Sequence, residues 1–148
     1  MTDSSLTLRP AGADDLSRVE GLLDANDLPS ADVRAKPECF FVARADGEVV
    51  GVGGVEDHGA NGLLRSVVVE ESRRGRGYGA GICAALEDHA RGAGMATLYL
   101  LTTTAAEFFR RRGYEEIPRG AAPERIQGTT EFADLCPASA TCMTKGLE

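Results

Sequence analysis

Long apolar runs are missing from this chain. No stretch of its 148 residues approaches the roughly 20 that a membrane-spanning helix needs, so no membrane partner is expected. Residues 1–5, Met-Thr-Asp-Ser-Ser, lack the basic patch and apolar core of a secretory leader, and the expected location is cytoplasmic. Cysteine is sparse and unpaired. Cys39, Cys83, Cys136 and Cys142 form no CxxC, and His58 and His89 lie far in sequence from the last two cysteines. Zinc-ligand spacing is therefore absent, and no metal is expected. In a reducing compartment each cysteine reads first as a small buried hydrophobe. Positive charge is outnumbered, 16 Lys plus Arg against 23 Asp plus Glu, for a net charge of −7. A domain that reads nucleic acid carries a basic face, so nucleic acid is not an expected partner. Lysine is nearly absent as well, at Lys36 and Lys145 alone. An acidic, lysine-poor surface suits a salty cytoplasm, where repulsion is screened and solubility is kept.

What is present is ordinary for a globular protein: 43% hydrophobic and 26% charged residues. The length fits one domain over residues 1–148 with a single core. Leu6-Thr7-Leu8-Arg9 reads as a strand ending at Pro10. Asp14 is placed to cap a helix whose Leu16, Val19, Leu22 and Leu23 share one face and which stops before Pro29. Residues 26–37 are polar and punctuated by proline, a loop or broken helix. Asp46-Gly47 between two β-rich runs, residues 39–44 and 49–52, predicts a hairpin. Asn61-Gly62 marks a further turn before a central strand over residues 63–69.

A helical pattern with Ile82, Ala85, Leu86 and Ala90 on one side comes next, ended by Gly92 and Gly94. The apolar run over residues 95–103 suits a buried strand. Thr104-Ala105-Ala106-Glu107 has the form of a capping box opening a short helix through Arg112, with Gly113 beyond. A strand over residues 114–117, a loop-rich segment from Pro118 to Pro137 and a last strand over residues 140–144 complete a mixed α/β domain.

The informative unit is strand, Arg74-Gly75-Arg76-Gly77-Tyr78-Gly79, helix. Successive glycines let backbone N–H groups converge, and a helix N-terminus adds partial positive charge, so the loop suits a phosphate or pyrophosphate. Arg74 and Arg76 can add charge-assisted contacts. A Walker loop would need Gly-Lys-Ser/Thr, which is absent. A dinucleotide fingerprint would need an acidic residue near Leu98-Tyr99-Leu100-Leu101, where none stands.

Arg74-x-x-Gly77-x-Gly79 resembles the Arg/Gln-x-x-Gly-x-Gly/Ala motif of GNAT-type N-acetyltransferases, whose loop cradles the pyrophosphate of acetyl-CoA. Residues 105–114, Ala-Ala-Glu-Phe-Phe-Arg-Arg-Arg-Gly-Tyr, resemble that family's later helix. The resemblance implies an α/β (α+β) fold with a mixed central sheet flanked by helices. It also implies a coenzyme site made of Val67, Val68, Val69, Arg74, Gly75, Arg76, Gly77, Tyr78, Gly79, Ala80, Thr104, Phe108 and Phe109. Residues 62–66, 100–105 and 131–140 are similar to the arsenic-resistance-associated branch of the family. The Leu-Thr-Thr-Thr-Ala stretch is also similar to the acetyltransferase domain of N-acetylglutamate synthases. Both imply a small amine acceptor, an α-amino acid or an arsenic- or phosphorus-containing analogue of glutamate. A peptide or protein acceptor is the alternative within the enzyme class, and a non-catalytic acyl-CoA sensor is the alternative outside it.

Family members often place a tyrosine four residues before the helix-ending glycine; here Phe109 stands there and cannot donate a proton. The glutamate often found early in the central strand is replaced by Leu63 and Leu64. Glu56, after Val55, is the expected base, with a solvated hairpin carboxylate as its ordinary reading and His58 behind it. Arg65 and Ser66 interrupt an apolar strand. Arg65 either holds a substrate carboxylate or pairs with a surface acid. Thr102 and Thr103 are expected to line the acceptor site, and Arg119, Thr129, Glu131 and Cys136 lie in the loop-rich segment expected to supply further contacts. Cys136 and Cys142 read as core residues before any metalloid site, and exposed strands leave room for a homodimer.

Overall fold

Asp46 and Gly47 both take left-handed backbone angles, φ 54° and 83°. A two-residue turn with both φ positive matches the twist of paired strands. It folds strand β2 (Phe40–Ala45) antiparallel onto β3 (Glu48–His58), with Phe40 opposite Gly54 and Val42 opposite Val52. The computed structural model describes residues 6–26, 28, 30, 31, 33–75, 77–129, 132 and 139–147. The remaining strands are β1 (Leu6–Pro10), β4 (Asn61–Val69), β5 (Thr97–Thr102), β6 (Glu115–Ile117) and β7 (Thr141–Gly146). They are hydrogen-bonded in the order β1-β2-β3-β4-β5-β7-β6. The β4–β5 pair is parallel and the β1–β2, β5–β7 and β6–β7 pairs are antiparallel, so the sheet is mixed. Helices are α1 (Leu16–Ala25), α2 (Tyr78–Gly92), α3 (Ala106–Arg111) and α4 (Glu124–Gln127). Among the described residues no helix is long and apolar enough to cross a membrane.

The chain divides into two compact units, Met1–Val55 with Ser66–Asp88, and Glu56–Arg65 with His89–Glu148. In the first unit Leu16, Val19 and Leu23 of α1 pack with Val33, Phe40, Val42, Val52 and Val68. In the second, Leu63 packs with Ala122, Ile126, Phe132 and Cys142, flanked by Tyr99, Leu101 and Ile117. Ala122, Ile126 and Phe132 thus cover Leu63 of β4.

Glycine sets how closely α2 lies on β3. A Cβ on Gly51 would collide with the Val68 carbonyl oxygen and stand 2.8 Å from Ile82 Cδ1, and one on Gly53 would stand 2.7 Å from Leu86 Cδ1. Ile82 and Leu86 therefore rest on bare backbone.

Three local expectations are corrected. The turn after β3 is Gly59-Ala60, not Asn61-Gly62. Gly59 takes φ +84° and its N–H donates to Asp57 Oδ1 at 2.9 Å. Asn61 and Gly62 already belong to β4, and Gly62 is small because a Cβ there would collide with Met95 Sδ. Thr104 does not cap α3. The Ala105 N–H instead donates to Thr102 Oγ1 at 3.0 Å, and Glu107 pairs with Arg110. Asp14 does not cap α1 either: residues Ala13–Asp15 form a 3-10 turn in which Asp15 Oδ2 accepts from Gly12 N–H at 2.9 Å.

Gly51→Ala is expected to destabilise the protein by about 1–3 kcal/mol, since backbone must shift to admit the methyl. Gly21→Ala in α1, where an added Cβ meets nothing within 4 Å, is expected to stabilise by about 0.5–1 kcal/mol. Urea unfolding of both variants checks the pair of opposite signs.

Candidate active site

The glycine loop lies wholly in the first unit. β4 ends at Val69, residues Glu71–Arg73 form one 3-10 turn, and α2 begins at Tyr78. Gly75 and Gly77 take φ +83° and +82°, a region that costs a side chain about 1–2 kcal/mol. The space a Cβ would fill at either glycine meets nothing within 4 Å. Gly77 carbonyl accepts the first helical bond from Gly81 N–H at 3.1 Å. The N–H groups of Tyr78, Gly79 and Ala80 therefore form the first helical turn, where no intrahelical acceptor exists. Such N–H groups, at the start of a 15-residue helix, are able to receive an anion. Arg74 braces the loop, donating through Nε to Val69 O at 3.1 Å and through Nη2 to Asn26 Oδ1 at 2.6 Å. Arg73 pairs with Glu48, and Arg18 with Glu70. Arg76 lies outside the described residues.

Just before the loop, Ser66 is buried at φ +62°, a left-handed residue inside a strand. Such a kink interrupts the ladder and re-aims the residues beyond it. Val67 and Val69 are half-buried past the kink, with Val68 in the core between them.

The second unit holds a buried charged group. Glu56, near the end of β3, accepts at Oε2 from Arg65 Nη1 of β4 at 3.0 Å, and its Oε1 lies 3.1 Å from His58 Nε2. Side-chain exposure runs from 0% at Arg65 through 4% at Glu56 to 22% at His58. Neither Glu56 nor Arg65 is the solvated surface group of the ordinary reading: the acid that Arg65 pairs with is as buried as itself. A charge out of water is tolerable only when paired and hydrogen-bonded, and this pair satisfies both conditions. A carboxylate accepts but does not donate, so His58 Nε2 carries the hydrogen. Leu63, two residues before Arg65 on the same strand, packs under Ala122, Ile126 and Phe132. Strand alternation puts Leu63 and Arg65 on one face, the face on which Ala122, Ile126 and Phe132 pack against Leu63.

The other expected site residues divide. Thr102 is half-buried and holds the entry to α3, while Thr103 and Thr104 are exposed. Phe108 is half-buried. Phe109 is core, edge-on to Phe108 at 5.1 Å and to Tyr114 at 5.6 Å between ring centroids. Arg119 donates to Phe132 O at 2.6 Å and lies 5.5 Å from that ring's centroid. Buried Thr129 donates to Ile126 O and accepts from Phe132 N–H. Both residues fasten the segment to itself. Glu131 and Cys136 lie outside the described residues. Burial pushes the Cys142 thiol above its ordinary value, partly offset by the nearby Arg119 charge.

The bond to His58 is not foreseeable from sequence; its only signal there is a second titratable residue two positions beyond Glu56.

Arg65→Met is expected to cost about 3–5 kcal/mol by removing the guanidinium that offsets the buried Glu56 charge. The double variant Arg65→Met, Glu56→Gln should lose less than Arg65→Met alone, and chemical denaturation of the full cycle reads the difference. Because the Cys142 thiol is raised in the folded state, the unfolded chain ionises there first, and this contribution to stability is lost as pH climbs through the alkaline range. At neutral pH the thiol stays protonated, so Cys142 should resist alkylation until the protein unfolds, as peptide mapping would show.

Known proteins share both the sequence pattern and the architecture. A model of the GNAT acetyltransferase domain matches residues 36–116, more than half of the chain. The IAA acetyltransferase of Azospirillum brasilense is 33% identical over 101 residues, covering 64% of this chain and 63% of that protein. Among solved structures, N-acetylglutamate synthase of Neisseria gonorrhoeae, complexed with coenzyme A and N-acetyl-glutamate, superposes with a TM-score of 0.83 at 20% identity. That match covers 97% of this chain but 35% of the synthase. A Mycobacterium tuberculosis protein in complex with CoA superposes at 0.79 with 24% identity, covering 96% of this chain and 99% of its own. The chain spans under two thirds of the curated relative and about a third of the synthase. The mixed seven-stranded sheet is the architecture these structures share, and the chain belongs to the GNAT acetyltransferase family.

Proposed function

We propose that the protein transfers the acetyl group of acetyl-CoA to the amine of a small molecule of the amino-acid kind. Glutamate and its arsenic- or phosphorus-containing analogues are the first acceptors to consider. The observation that carries this reading is the loop at Gly75 and Gly77, whose positive φ and empty Cβ positions leave open space just before the first-turn N–H groups of α2. A pyrophosphate supplies the negative charge that such a helix start favours. Tyr78, Gly79 and Ala80 would hold it through backbone, with Arg74 keeping the loop in shape. Val67–Val69, beyond the kink at Ser66, would bind the pantetheine arm and polarise the thioester carbonyl through their N–H groups. Thr104, Phe108 and Phe109 are the candidate contacts from α3 and its approach.

The acceptor side is proposed on the face that carries Arg65 and Glu56, with Ser66, Thr102 and Thr103 as further contacts. Arg65 is engaged by Glu56, so its proposed part is to fix that carboxylate rather than to clamp a free substrate acid. Phe109 has no proton to give and is enclosed by aromatic rings. Coenzyme A accordingly leaves as the thiolate, which its modest thiol basicity permits. Support for an amino-acid acceptor comes from the N-acetyl-glutamate complex of the Neisseria gonorrhoeae synthase. The Azospirillum brasilense relative supports acetyl transfer in general.

Thiol release from acetyl-CoA is expected with one amino-acid-like amine from a panel of glutamate, phosphinothricin, an arsenic analogue, polyamines, aminoglycosides and short peptides. Turnover of peptides alone would move the acceptor to protein N-termini. Calorimetric coenzyme binding without release on any amine would make the chain a sensor. Gly77→Val, which puts a β-branched side chain at φ +82°, should weaken coenzyme A binding roughly tenfold while the circular dichroism spectrum is kept.

A further inference from the structure

Glu56 is a poor candidate for direct proton abstraction, because Arg65 occupies one of its oxygens and His58 the other, and only 4% of its side chain is exposed. The three residues form a chain that runs from buried to open. Arg65 is sealed, Glu56 nearly so, and His58 is its solvent-facing end. With Nε2–H donated to Glu56, the neutral imidazole presents its lone pair on Nδ1. Among the described residues no hydrogen bond falls on Nδ1.

We infer that His58 is the group that takes the proton of the acceptor amine, and that Glu56 and Arg65 are positioning residues that fix its tautomer and orientation. This rests on the acetyl-transfer reading above. A carboxylate that orients an imidazole and stabilises the imidazolium is an arrangement that acid–base catalysis uses on unrelated folds. Here Arg65 keeps the carboxylate from turning away.

Protons and electron pairs balance in this step. His58 Nδ1 takes one proton from the substrate ammonium, leaving a neutral amine. The amine lone pair forms the C–N bond to the thioester carbonyl carbon, and the C–S pair leaves on the coenzyme sulfur. The second amine proton goes to that thiolate, giving coenzyme A, and the imidazolium returns its proton to water. No tyrosine hydroxyl at the Phe109 position is needed.

His58 has charged neighbours among the described residues. Glu56 contacts it directly and Arg65 acts through Glu56. The adjacent Asp57 carboxylate is turned to Gly59 N–H. From α4, Arg125 Nη1 comes within 3.8 Å of where a Gly59 Cβ would stand.

The test is steady-state thiol release by the full chain with its accepted amine, across pH, for wild type, His58→Gln and Glu56→Gln. His58→Gln removes neither buried charge and should fold. It is expected to lower kcat about a hundred- to ten-thousand-fold with KM for acetyl-CoA within about twofold, and to abolish the acid limb of the kcat/KM profile. Added imidazole should restore part of the activity to His58→Ala. Glu56→Gln should lose less and keep the acid limb, since the imidazole that takes the proton is still present. If Glu56→Gln does not fold, nitrogen NMR of the wild-type imidazole gives the second reading, with protonated Nε2 expected and protonated Nδ1 contradicting the assignment. A His58→Gln variant within about threefold of wild-type kcat overturns the proposal and returns the base to Glu56. An inactive wild type that still binds coenzyme A overturns the acetyl-transfer reading itself, and this assignment with it.

Discussion

Two opposite charges removed from water constrain the second unit more than any apolar contact in it. Desolvating a carboxylate and a guanidinium is costly, and their attraction offsets that cost only if their positions are held. Glu56 and Arg65 sit nine residues apart, on the strands either side of the Gly59-Ala60 turn, and meet at 3.0 Å. That distance fixes where β3 must end and where β4 must begin. The glycine soon after the turn has a separate cause. Met95 and Leu98 press against the strand at Gly62, leaving no room for a side chain.

What can be read from sequence is mostly what is local. Asp46-Gly47 announces its hairpin because both residues tolerate positive φ, and the glycines between Arg74 and Gly79 announce a loop with left-handed backbone at Gly75 and Gly77. The same local logic misplaces the turn at Asn61-Gly62. Asn-Gly is a strong turn pair, yet Gly59 two residues earlier takes the left-handed position, and Gly62 is small for packing. Thr104 likewise has the right spacing for a cap, and Thr102 takes the backbone N–H instead.

The non-local part of the site is only half visible. A lone charge in each of two apolar runs, Val55-Glu56 and Leu64-Arg65, points to a special environment without saying that the two environments are one. Whether a strand residue faces inward depends on register across the turn, and a turn placed two residues late gives the wrong neighbour. The covering of this face by Ala122, Ile126 and Phe132 is harder still to read. Arg119 and Thr129, which look like ligand contacts in sequence, bond to the Phe132 backbone instead.

The bare backbone of β3 at Gly51 and Gly53 reaches further than packing. Ile82 and Leu86 sit one and two turns into the helix whose first residues form the proposed anion cradle, and they rest on main chain rather than on flexible side chains. A side chain is a compliant spacer; a peptide backbone is not. The cradle is thereby anchored from behind, like a bracket bolted to a beam without a washer. Its aim is set by a strand that need touch no ligand at all. Drift in the loop's own sequence could alter what is gripped, whereas drift at those two glycines would alter where the grip points.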